Sequence, residues 1–393
     1  MVLTSTFPRW KDDIEPPFVF ELCRALHDFD IHVIAPHAEG SLSEELMDGI
    51  HVYRFHYAPE KLEKLAYNGG ISSNLKTSPW KYFLIQGFLL SQFFLAYRIA
   101  KKHDIHLIHA HWMIPTGLIG ASLRELLPGE NRLVVTAHGG DVHGLKGKIF
   151  SALRRWVAKE ADCVSVVSQN LKQKALNEAW PAKHLALAPM GVDLQQNFIP
   201  KLRNQTKPTV VFAGRLVSKK GVSHLISAMH EVIKHLPNCQ LLIAGHGPLR
   251  QQLQQQTEEL GLSQHVSFLG PYTITELPSI LQRGNIAAFP FDTAVSGDEE
   301  GLGLTTIEAM GCGIPVIVGN VPAIHDVVID EETGLIVDPK DYKKFSHQIV
   351  ALLQDPEKQK RLVDNAHRFA SSHFDWKVSA NTYEIIFNRI LPP

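Results

Sequence analysis

Two glutamates, Glu300 and Glu308, stand with seven residues between them inside the stretch 286–319, IAAFPFDTAVSGDEEGLGLTTIEAMGCGIPVIVG. A carboxylate only accepts hydrogen bonds, through two oxygens, which suits the vicinal diol of a ribose or a hexose. Gly301 and Gly303 lie between them and let backbone approach a ligand closely. The apolar run 286–290 predicts a short strand. A helix is expected from near Thr305 to Gly311 or Gly313, before the next strand at 314–318. A helix start presents unpaired N–H groups and a positive dipole end, both suited to phosphate. Glu300, Gly301, Leu302, Gly303, Leu304, Thr305 and Glu308 are therefore candidate contacts to a phosphorylated sugar or a sugar nucleotide. The competing reading, a strand, a turn and a helix with two solvated glutamates, leaves the glycines and the closing G-x-P-V unexplained.

Cations come from a different strand end. In TVVFAGRLVSKKG (209–221), Arg215 follows the strand at once and Lys220 comes five residues later, near the next helix start. Two fixed cations there can neutralise a diphosphate as charge develops on it, Arg215 as a planar fork and Lys220 as a point charge. A lysine-rich helix start is the plain alternative. In LLIAGHGP (241–248), Gly245 and Gly247 resemble part of a dinucleotide fingerprint, but the third glycine is missing. Phe268 to Tyr272 follows another strand, where nucleobase contact and packing are both open.

The first half offers rings and histidines. In RLVVTAHGGDV (132–142), His138 and Asp141 directly follow a buried strand. In IHLIHAHWMIPTG (105–117), His109 and His111 share one strand face. His111 and Trp112 close that strand, where a ring stacks on a sugar or simply packs. In TSTFPRWKDDIEPPFVF (4–20), Arg9 is a candidate phosphate or acceptor contact, with a solvated arginine as the equal alternative. Asp12 and Asp13 resemble a metal pair only weakly and read better as a flexible acidic turn. Neither an HExxH pattern nor a DxD at a strand end occurs, so no metal and no cofactor are expected.

These residues need strand ends to hold them. Short β-branched runs alternate with helical patterns throughout the 393 residues, which predicts parallel sheets covered on both faces, in two doubly wound domains. The expected boundaries are 1–193, a polar linker at 194–207, 208–375, and a final amphipathic helix from 376. A hydrophobic content of 45% is ordinary, and a net charge of −1 gives no electrostatic case for nucleic acid. Four scattered cysteines without a CxxC pair fit a reducing compartment and no structural zinc. The opening Met1-Val2-Leu3-Thr4 reads as a strand and not as a signal peptide. Gln86, Ser91, Gln92 and Arg98 interrupt the apolar stretch 82–100. It therefore falls short of a clean span of ~20 apolar residues. A buried or partly buried helix is expected there. Contact with a membrane surface or a lipid acceptor is the alternative, since Lys76, Lys81, Arg98, Lys101 and Lys102 flank it.

The block E-G-L-G-L-x-x-x-E-A-M-x-C-G-I-P-V resembles the donor site of retaining glycosyltransferase family 4, and H-A-H-W-x-x-P-x-G and H-G-G-D are similar to further segments of that family. The resemblance implies an α/β GT-B fold, two Rossmann-like domains facing each other across a cleft. The second would bind a nucleoside-diphosphate sugar and the first an acceptor, with the last helix crossing back to the first. It implies that Arg215 and Lys220 hold the diphosphate in place of a metal and that Glu308 grips the ribose. Glu300 and 301–304 would bind the sugar, Gly247 would line the nucleotide site, and His138 would lie beside the transferred sugar. The first loop is glycine-rich in many relatives and has no glycine here. The implied activity is a metal-independent retaining hexosyltransferase (EC 2.4) acting on a glycan, lipid-linked or small-molecule acceptor, as in surface polysaccharide synthesis. A cytoplasmic enzyme, or one peripheral at the inner face of the plasma membrane, is implied. A GT-B nucleotide-sugar epimerase and a catalytically silent sugar-nucleotide-binding subunit remain as other classes.

Overall fold

A computed structural model of the chain describes residues 1–201 and 207–391. They form two compact units, one from Met1–Gly191 with the C-terminal segment from Trp376, the other from Val192–Asp375.

The first unit holds an eight-stranded sheet. Its strands are β1 (Val2–Leu3), β2 (His32–Pro36), β3 (Glu44–Met47), β4 (Ile50–Phe55), β5 (Leu107–His111), β6 (Arg132–Ala137), β7 (Cys163–Val166) and β8 (Leu185–Leu187). They lie in the order β3-β4-β2-β1-β5-β6-β7-β8. All pairs are parallel except β3 with β4. Every residue of β2 and β7 is buried, as expected for apolar strands sandwiched between helices. The order reverses between β1 and β5, and in such sheets ligands bind beyond the strand ends at the reversal.

The stretch read as a partly buried helix is helical over Phe83–Lys102. Leu84, Phe88, Gln92, Ala96 and Ile99 form its buried face, and the Gln92 amide donates to the Thr4 carbonyl at 3.1 Å. The opposite face exposes Phe83, Leu90 and Phe94. With the turn before it, Pro79–Lys102 is long and apolar enough to cross a membrane by length and composition, but only a third of it is buried in the protein. The last helix, Trp376–Ile390, completes this unit: Tyr383 donates to the Ala188 carbonyl at 3.1 Å, and the Phe387 ring meets Phe29 and His109.

The second unit is a six-stranded, all-parallel sheet of β9 (Thr209–Ala213), β10 (Gln240–Ala244), β11 (Val266–Gly270), β12 (Ile286–Phe289), β13 (Val316–Gly319) and β14 (Leu335–Val337). Its order, β11-β10-β9-β12-β13-β14, reverses between β9 and β12. Part of the segment read as a linker is packed: Leu194 and Phe198 are buried against Gly311, which leaves no space for a side chain there. Residues 202–206 of that segment lie outside the described residues.

Candidate active site

In the second unit the loops after β9 and β12 flank the reversal of strand order. Arg215 leaves the end of β9, and Lys219 and Lys220 follow in a short 3-10 turn, both buried. The Lys220 ammonium lies 2.8 Å from a Glu300 carboxylate oxygen and 4.7 Å from the centre of the Phe291 ring. Lys219 donates to the Glu299 carbonyl at 2.9 Å and pairs with Asp298 at 3.2 Å. Two adjacent lysines thus fix the loop that carries Glu300. Lys219 and Phe291 escaped the sequence reading, because a second lysine in a basic turn and one more aromatic in an apolar run give no separate signal.

Gly247 and Gly303 each answer a steric demand. At Gly247 a Cβ would stand 2.4 Å from the Leu216 carbonyl oxygen, so the turn after β10 lies directly on the loop that carries Arg215. Gly303 has φ +88°, a left-handed conformation that costs glycine little, and it delivers the chain into the helix Leu304–Gly311. Gly301 and Leu302 are buried just before it, and Leu304 and Thr305 are half-buried in its first turn. Thr306, also unforeseen, has a buried hydroxyl with no hydrogen-bond partner among the described residues.

The two glutamates sit in opposite electrostatic states. Burial works against charge on Glu300, but Lys220, Lys219 and Arg215 hold its carboxyl down at about 2. Burial pushes Glu308 up to about 7, and Lys220 pulls it only part of the way back. Burial also lowers Lys220, with Glu300 opposing, and the charges of Lys219 and Arg215 lower it further. The Tyr272 phenol is raised by burial and then by the Glu308 charge, so the loop after β11 reaches the same cluster. Sequence-distant Arg215, Lys220, Tyr272, Glu300 and Glu308 therefore act on one another electrostatically.

In the first unit the loops after β1, β5 and β6 come together. His111 Nδ1 lies 2.9 Å from His138 Nε2. Burial lowers His138 to about 3 and takes His111 well below the ordinary imidazole range, so both rings are neutral at pH 7. Trp112 and Phe18 pack on His138 with ring centres 4.8 and 5.1 Å away. Trp112 adopts φ +76°, rare for a bulky residue and a kind of strain that clusters at functional sites. Phe18 was not singled out in the sequence, where it falls within the stretch 4–20.

Two sequence candidates take other positions. Asp141 is buried and turned inward: one carboxylate oxygen accepts from the Met113 amide at 2.6 Å, and the other from His138 and Gly139 at 3.1 and 3.0 Å. It braces the loop beneath His138. Arg9 and Asp13 form a two-pronged pair at 2.6 and 2.8 Å, with Asp13 buried. The expected flexible acidic turn is therefore a fastened one. Arg54, also buried, donates to the Pro8 carbonyl at 2.8 Å and further stiffens this glycine-free loop.

Comparison with known proteins places these features in a family. The profile of glycosyl transferases group 1 matches residues 195–369, and that of glycosyltransferase family 4 matches residues 17–196. The GDP-mannose-dependent alpha-(1-6)-phosphatidylinositol monomannoside mannosyltransferase of Mycolicibacterium smegmatis is 29% identical over 304 residues, 74% of this chain and 79% of the relative. The glycogen synthase of Mycobacterium tuberculosis is 25% identical over 279 residues, 70% of this chain and 66% of the relative. Among solved structures, the sucrose-phosphate synthase of Thermosynechococcus elongatus has a TM-score of 0.79 at 22% identity, covering 99% of this chain and 98% of its own. Anabaena HepE in complex with UDP and glucose has a TM-score of 0.74 at 19% identity, again covering 99% and 98%. With both halves matched, the chain is a GT-B hexosyltransferase that uses nucleotide-sugar donors, and it belongs to glycosyltransferase family 4.

Proposed function

We propose that this enzyme transfers a hexose from a nucleoside-diphosphate sugar with retention of anomeric configuration and without a metal ion at the diphosphate. The observation that carries the reading is Lys220, buried in the turn after β9 against Glu300, with the Arg215 charge acting on both. These fixed cations suit a diphosphate leaving group. As the bond from the anomeric carbon to the phosphate oxygen breaks, its electron pair moves to that oxygen and Arg215 and Lys220 stabilise the charge. The same oxygen takes the proton of the acceptor hydroxyl while the acceptor oxygen bonds to the anomeric carbon on the same face. Glu308 accepts from the ribose hydroxyls, and Glu300 with 301–304 holds the sugar. His138 of the first unit, neutral, can offer a hydrogen bond but no charge.

A thermal-shift series with UDP, GDP, ADP and dTDP and their sugars, with no divalent ion added, tests the donor site. GDP-mannose comes first, because the mannosyltransferase relatives use it. One nucleotide should raise Tm above the rest, since ligand at 100 times its Kd stabilises the fold by about 2.7 kcal/mol. No shift with any of them would contradict the reading. Adding Mg²⁺ or Mn²⁺ should leave the transfer rate unchanged.

The exposed face of Phe83, Leu90 and Phe94, followed by Arg98, Lys101 and Lys102, supports a lipid-linked acceptor presented at an anionic membrane surface. Wild-type protein should float with anionic vesicles, and the double variant Phe83→Ser, Phe94→Ser should remain at the bottom of the gradient. Equal flotation would remove this face as the contact, and no flotation of wild type would favour a water-soluble acceptor.

A further inference from the structure

Beyond the donor site, the first unit brings together three side chains whose donor atoms converge. His37 is the first residue after β2 and His56 the first after β4. These strands are parallel neighbours in register, Pro36 opposite Phe55, so the two histidines leave the sheet side by side. Their ring centres are 3.8 Å apart. Glu63 enters from the 3-10 turn that follows, fully buried at its carboxylate. One carboxylate oxygen lies 2.5 Å from His37 Nδ1, and the other 3.4 Å from His56 Nδ1. A single potential ligand atom from each residue falls within 4.8 Å of the others.

Each outward ring nitrogen also has an oxygen partner. His37 Nε2 lies 3.0 Å from the Ser41 carbonyl oxygen, which can only accept, so this nitrogen carries a proton. His56 Nε2 lies 3.0 Å from the Ser43 hydroxyl. Imidazoles that ligate metals characteristically donate their other N–H to such a backbone or side-chain oxygen. Both Nδ1 atoms face the Glu63 carboxylate, where one cation can be shared by the three side chains.

We propose that His37, His56 and Glu63 bind one divalent transition-metal ion, with zinc the ion that suits two imidazoles and a carboxylate best. Bonds of about 2.0–2.2 Å in a tetrahedral site place neighbouring donors roughly 3.3 Å apart. The two histidines approach different Glu63 oxygens, at 2.5 and 3.4 Å, so a single ligating oxygen draws the set in from its present spread of up to 4.8 Å. Half of the His56 side chain is exposed, which leaves solvent access to a fourth position. Glu63 also accepts from the Tyr57 amide at 2.9 Å, and the Tyr57 hydroxyl accepts from the Leu65 amide at 3.0 Å. The ion would therefore fasten the loop after β4 to the end of β2. The spacing, H-x18-H-x6-E, is too open to stand out as a metal motif in the sequence. This ion is separate from any metal at the donor diphosphate, and binding rather than transfer is the readout.

Full-length protein stripped with a chelator is titrated with Zn²⁺ against a chromophoric competitor. Wild type should take up one equivalent and melt higher when loaded. His56→Ala, truncated on its exposed side, should keep its fold and bind at least ~10-fold more weakly, with the same Tm in zinc and in chelator. Glu63→Gln should weaken binding similarly. Failure of wild type to bind a stoichiometric ion overturns the proposal whatever the variants do, and so does equal binding by wild type and both variants.

Discussion

Arg215→Ala lowers kcat by about 10²–10³-fold, the range found when one preorganised donor to a developing negative charge is removed. Arg215 is half-buried at the end of β9, so the fold tolerates the truncation and Tm moves little. Lys220→Ala loses as much activity and is also less stable, because it leaves the buried Glu300 carboxylate without its 2.8 Å partner. Breaking such a buried pair costs roughly 3–5 kcal/mol. Steady-state rates at saturating donor, with melting curves of the same preparations, separate the two effects. Unchanged turnover in Arg215→Ala would remove that residue from the diphosphate site.

Conservative changes at the two glutamates move stability in opposite directions. The Glu300 carboxyl titrates near 2 in the fold, below its ordinary value of 4.5, so its stabilising effect is full above pH 4.5 and is lost as pH falls through 2. Glu300→Gln forfeits that contribution and strands Lys220, so the variant melts lower at pH 7. Glu308 titrates near 7 in the fold against 4.5 ordinarily. Its protonated form contributes stability that is full below pH 4.5 and is lost as pH rises through 7. Glu308→Gln should therefore be more stable than wild type at pH 8, by roughly 1–2 kcal/mol after allowing for its partly solvated side chain, with the gap closing toward pH 5. The same variant should lose about 100-fold in kcat/KM, since it gives up charge-assisted hydrogen bonds worth roughly 1.5–3 kcal/mol each. A more stable and nearly inactive Glu308→Gln is the expected signature of a carboxylate held for binding at the expense of the fold. A variant less stable than wild type at pH 8 would contradict it.

Strands were legible wherever burial on both faces left continuous apolar runs, and every run read as a strand forms one. The missing strand is β3, whose residues alternate between exposed and half-buried at the sheet edge. Its signal was the turn Asp48-Gly49, with φ +46° and +85°, a pair that closes tight hairpins. The helix predicted from near Thr305 begins one residue earlier, at Leu304. Among the candidate residues, the strand-end positions of Arg215 in the second unit and His138 in the first were legible, because strand position alone places them. The inward turn of Asp141 was not legible, because it depends on three backbone amides brought together by folding. Lys219 and Phe291 were missed for a related reason: their partners, Asp298 and Lys220, lie far away in sequence. His37, His56 and Glu63 show the same limit, since parallel strand pairing and not sequence spacing brings them together.

The last helix carries a consequence for how the chain is made. Tyr383 and Phe387 are buried in the first unit, against Ala188, His109 and Phe29. The first 191 residues thus leave the ribosome early but cannot finish their own core until the final turns are synthesised, whereas Val192–Asp375 is entire before then. Emergence and completion run in opposite order. A chain stopped at Asp375 carries a finished second unit and an unfinished first one.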